Sequence, residues 1–169
     1  MLYIPPMPFL LRCVYWNLRE RAKSIGDVLT LIADGMDRSK FCLPRWPRGR
    51  PPHGTEHMHR PDMEVEAVIC HGVGLYIYVA DEDISIGSEW VVECVVRTLS
   101  YVAERLASQG KQIPEHLHLQ SDNTVAQGKN QHIMKLLISM VSQTLFRTCS
   151  LGFLSVGHTH EDVGYAHYC

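Results

Sequence analysis

No apolar stretch in this 169-residue chain reaches the roughly 18–20 residues that a membrane-spanning helix needs. No CxxC pair occurs among its cysteines, Cys13, Cys42, Cys70, Cys94, Cys149 and Cys169. The length is not that of a small disulfide scaffold, so reduced thiols in an intracellular protein are expected. Neither sign of charge dominates: 16 Lys and Arg stand against 18 Asp and Glu, a net charge of −2. A whole-chain basic excess for nucleic acid is therefore absent. The opening MLYIPPMPFLLRC lacks a basic n-region and is broken by three prolines, which argues against a secretory signal. No internal repeat occurs.

What is present fits one domain with room for a sizeable core. Residues 1–8 are Pro-rich, and 9–24 read as a helix with a basic end. DVLTLIADGMD follows, an apolar strand run that stops at acids around a glycine. Residues 43–62 hold five prolines, two glycines and three histidines, which makes a long loop. Two strands come next, 64–73 and 74–81, with Gly72 and Gly74 marking a tight hairpin. Residues 88–109 carry Val91, Val92, Val95, Val96, Leu99, Val102, Ala103 and Leu106 at helical spacing, with Ser88 as N-cap and Gly110 just past the end. A short alternating strand, HLHLQSDN, a second amphipathic helix over 130–146 and a last strand over 149–157 complete the order. A hairpin followed by β-α-β-α-β implies an α/β fold with a mixed sheet and helices on its faces.

Acids recur at the ends of these strands. Asp34 ends the first, Asp122 ends the fourth, and Glu161 and Asp162 follow the fifth. Crevices outside strand carboxyl ends collect ligands in open α/β sheets. Converging carboxylates repel unless a cation intervenes. Oxygen ligands suit Mg²⁺ or Mn²⁺, and paired ions of this kind serve phosphodiester chemistry. The "DGMD" stretch also reads as a plain turn, and "SDN" as a helix cap. His158 and His160 share one face of an extended segment and are further candidate metal ligands, although such pairs are more often structural.

This element order, with acids at these places, resembles the ribonuclease-H-like fold of DDE transposases and retroviral integrases. YWNLRERA (15–22), IADGMDRSKFCLPRW (32–46), LQSDNTVAQGKNQ (119–131) and FLSVGHTHEDV (153–163) resemble, more closely, a eukaryotic domain family of transposon-derived character. The resemblance implies a ribonuclease-H-like domain over 27–169, preceded by a loose segment and helix over 1–26. It places the metal acids on Asp34, Asp122 and the Glu161/Asp162 pair, with Asp34, Asp122 and Asp162 catalytic. It also implies strand cleavage and transfer on DNA, nuclear localisation and assembly as a homo-oligomer. Family members carry aspartate where this chain has Gly164, and five residues then remain, too few for a closing helix. The expected domain is thus a truncated or degenerate copy, and a catalytically dead remnant that binds only DNA or protein is the alternative.

DNA contact is expected from Lys40, Arg45, Trp46, Arg48 and Arg50, a basic, Trp-bearing insert in which Glu56 is the only acid between Arg38 and Arg60. The bland reading of that insert is a solvated loop. Lys129 and Asn130 open the second amphipathic helix, a setting that suits a phosphate. His53, His57 and His59 are zinc ligands by type but an incomplete set. GHTH also resembles the last block of calcineurin-like metallophosphoesterases, whose other blocks are missing here.

Overall fold

The computed structural model describes residues 7–36, 52–55, 57–84, 88–122 and 127–154. In chain order these form α1 (Met7–Ser24), β1 (Val28–Gly35), β2 (Glu64–Cys70), β3 (Gly74–Ala80), α2 (Ser88–Ser108), β4 (His116–Asp122), α3 (Gln127–Ser142) and β5 (Thr148–Leu154). Among the described residues no helix is long and apolar enough to cross a membrane.

The five strands make one sheet in the order β3-β2-β1-β4-β5. β2 runs antiparallel to both β1 and β3, while β4 and β5 run parallel to β1. A hairpin pair beside three parallel strands, with β1 central, is the arrangement of a ribonuclease-H-like fold. The expected α/β class and mixed sheet hold.

Helices cover both faces. Leu29, Leu31 and Ala33 of β1 pack with Val68, Leu117 and Leu119 beneath Val91, Cys94, Val95 and Val102 of α2 and Ile133, Leu137 and Met140 of α3. Ile32 and Ala67 face the other way and pack against Tyr15 of α1. β1 is therefore buried on both faces over seven consecutive residues, as a central parallel strand requires. The α2 periodicity is correct in outline. Cys94 and Thr98 complete its buried stripe, while Val96 stands at the surface.

The turns follow local chemistry. Cys70 pairs with Gly74 across the β2–β3 hairpin. Gly72 there has φ 80°, and a Cβ on it would lie 3.1 Å from the Ala22 carbonyl of α1, so only glycine fits. The hairpin ends β2 three residues earlier than the sequence suggests. Gly26 and Gly110 take left-handed conformations just after α1 and α2. Thr144 does the same after α3, which stops that helix at Ser142 rather than 146.

Candidate functional site

β1 and β4 are parallel neighbours whose last register pair is Ala33 with Ser121. Asp34 and Asp122 are the next residues on each strand, so they stand side by side at the carboxyl end of the sheet. Residue alternation assigns both positions to the face that α1 spans. Asp34 is 7% exposed. Asp122 is fixed by its backbone, which pairs with Leu154 of β5. The register thus makes these two positions backbone neighbours on adjacent strands.

Glu161, Asp162, His158 and His160 lie outside the described residues, as do Lys40, Arg45, Trp46, Arg48 and Arg50. Lys129 and Asn130 fall in the first turn of α3, which starts just beyond the acid end of β4. Among the described residues no cluster of three or more His, Cys, Asp or Glu side chains is placed to hold a metal. His59 instead meets Glu82 across 2.7 Å at the surface. By residue type an aspartate carboxylate is a hard oxygen donor, the chemistry that Mg²⁺ takes.

The surroundings of that pair were not legible in the sequence. Asp34, Thr30, His71, His118 and Gln120 are all buried on the α1 face of the sheet. The alternation in HLHLQSD implies a solvated polar face, but α1 meets β1 and β5 on either side of β4 and encloses it. His118 Nδ1 lies 2.8 Å from Ser150 Oγ on β5. His116 makes the equivalent pair with Thr148 at 2.6 Å. Burial pushes the pKa of His118 down, partly offset by the amide oxygen of Gln120. Both side chains lean over Gly152, where a Cβ would meet Gln120 Oε1 and sit 3.0 Å from His118 Cε1.

Glu66 was also missed. It is 3% exposed and lies on the α2 face at the same end of the sheet as Asp34. Its Oε2 occupies the space beside Gly35, 2.8 Å from where a Cβ would stand. The available signal was parity: Glu66 alternates with Val68 and Cys70, both core residues.

The family model described as "Domain of unknown function (DUF7869)" matches residues 53–166. The chain belongs to the DUF7869 family. The match takes in β2 to β5 and Asp122, and begins downstream of Asp34. Among curated proteins none matches. Among solved structures, this DUF7869 chain is similar to a pre-cleavage Mos1 transpososome at 9% identity and TM-score 0.40, covering 98% of this chain and 53% of that one. The Mos1 strand transfer complex gives 9% identity and TM-score 0.40, with 98% and 52% covered. A mariner Mos1 paired end complex with Mg gives 9% and 0.35, with 98% and 57% covered. The chain spans about half the length of these structures, and likeness at this level identifies no activity.

Proposed function

We propose that this chain is a transposase-derived, DDE-type domain for metal-dependent phosphodiester cleavage and strand transfer on DNA. The observation that carries the reading is the parallel β1–β4 register, which sets Asp34 beside Asp122 at the carboxyl end of the sheet. Asp34 and Asp122 would hold the ions, with Asp162 or Glu161 as the third carboxylate and His158 and His160 as further candidate ligands. Bound Mg²⁺ or Mn²⁺ would activate the attacking oxygen and stabilise the leaving one. Lys129 and Asn130 hold a phosphate at the start of α3. Lys40, Arg45, Arg48 and Arg50 grip the backbone and Trp46 stacks on bases, so affinity falls steeply with salt. The chain acts in the nucleus as a homo-oligomer.

Nicking of supercoiled plasmid in Mg²⁺ or Mn²⁺ tests this. The wild type should nick, and Asp34→Ala should abolish nicking without loss of DNA binding. Gly164 supports a second reading, a remnant that retains only DNA or protein binding. On that reading wild type and Asp34→Ala bind DNA equally and neither nicks. Hydrolysis of a simple phosphate ester with transition metals alone would favour the metallophosphoesterase reading instead.

A further inference from the structure

β3 is one end of the sheet, and among the described residues no strand pairs with its outer edge. Its seven residues, GLYIYVA, keep an unbroken register with β2 and include no charge, proline or bulge. Those are the devices that ordinarily keep an edge strand from pairing with another chain. Tyr76 and Tyr78 pack on the α2 side, where the Tyr78 hydroxyl lies 2.8 Å from Thr98 Oγ1. Leu75, Ile77 and Val79 take the opposite face, across from Ile69, Ala67 and Val65 of β2, and are 44%, 54% and 55% exposed. Charge flanks this neutral strand asymmetrically. Asp81, Glu82 and Asp83 follow it, all exposed. Arg105 of α2 stands beside its start, with Nη1 3.3 Å from where a Gly74 Cβ would lie. Among the described residues Arg105 makes no ion pair.

We propose that the chain forms a two-fold dimer by antiparallel pairing of β3 with β3 of a second copy, which joins the two sheets into one. An axis at Ile77, the middle residue of the strand, sets Gly74 opposite Ala80, Leu75 opposite Val79 and Ile77 opposite itself. The apolar side chains then cover one another, and both strands lose their open edge. The acids that follow β3 in each copy arrive beside Arg105 of the other, twice over by symmetry. A parallel copy would set acids against acids. An extended peptide from another protein could also pair with the backbone, but the two ends of β3 carry opposite charges, and an antiparallel copy of the same strand answers both. This names the surface behind the homo-oligomer of the reading above. It needs neither metal nor DNA, so it can fail while the nuclease reading stands.

Sedimentation equilibrium of the full chain, without metal or DNA, tests it, with circular dichroism to check folding. The wild type should sediment as a dimer. Ile77→Lys sets like charges directly opposite each other and should give a folded monomer. Val79→Lys should do the same and serves if Ile77→Lys does not fold. Ile138→Lys, at an exposed apolar position on α3, should leave the dimer intact. Arg105→Glu should weaken the dimer about tenfold or more by like-charge contact. Adding Asp81→Lys, Glu82→Lys and Asp83→Lys to Arg105→Glu should restore it, a rescue that a loss of folding would not show. A wild type that stays monomeric up to its solubility limit overturns the inference, as does open-ended aggregation in place of a dimer. A dimer that survives both lysine variants of β3, or that Ile138→Lys dissolves, places the contact elsewhere and overturns it too. Plasmid nicking, assayed separately, decides the nuclease reading in every case.

Discussion

The Tyr15 hydroxyl of α1 and Nε2 of His71 in the β2–β3 hairpin share a buried hydrogen bond of 2.8 Å. Their rings meet edge to face, with centroids 5.8 Å apart. His71 in turn donates its backbone N–H to the Thr30 carbonyl of β1. The pair thereby ties the helix to the hairpin and the central strand. Tyr15→Phe leaves a buried ring nitrogen without this partner and should cost about 1–3 kcal/mol. Urea denaturation should show a lower midpoint with unchanged slope.

Gly152→Ala should destabilise the fold by about 1–3 kcal/mol, the usual range for overpacking. The new methyl would strike Gln120 Oε1 and stand 3.1 Å from His118 Nε2. Both side chains are buried and have little space to swing away. Gln120→Ala should make the glycine replaceable. A double-mutant cycle should show coupling of more than about 0.5 kcal/mol.

Thr144→Gly should stabilise the protein by about 1 kcal/mol, since a left-handed conformation is unfavourable for a residue with a Cβ. Thr144 has φ 57°, and the Leu145 N–H closes the α3 end on the Met140 carbonyl at 3.0 Å. Gly110 serves α2 in the same way, with the Lys111 N–H on the Leu106 carbonyl at 2.9 Å. Calorimetry should record a rise of about 2–4 °C in melting temperature.

His118 should make the fold sensitive to mild acid. Its folded pKa is depressed by burial, so between that value and about 6.5 the unfolded chain binds a proton that the folded chain does not. Stability is then complete above about pH 6.5 and is lost as pH falls through the window toward the folded pKa. His118→Gln should flatten this limb. Urea midpoints of wild type and variant between about pH 5 and 7.5 check it, the difference isolating His118 from the other histidines.

Sequence alone determined the local elements and their order. Helical spacing in α2, the Gly72–Gly74 hairpin, Gly110 after α2 and the acids at the ends of β1 and β4 are short-range features. Each is written within a few residues of where it acts. Thr144 gave no such sign, because a β-branched residue is a poor marker for a left-handed helix end. Tertiary structure decided which strands meet and what covers them. The β1–β4 pairing that sets Asp34 beside Asp122 joins segments separated by two strands and a helix. The burial of His118 and Gln120 depends on α1 crossing the sheet, and the burial of Glu66 on the α2 face. A strand's alternation says which residues share a face. Whether that face meets water or a helix is set by contacts between distant parts of the chain.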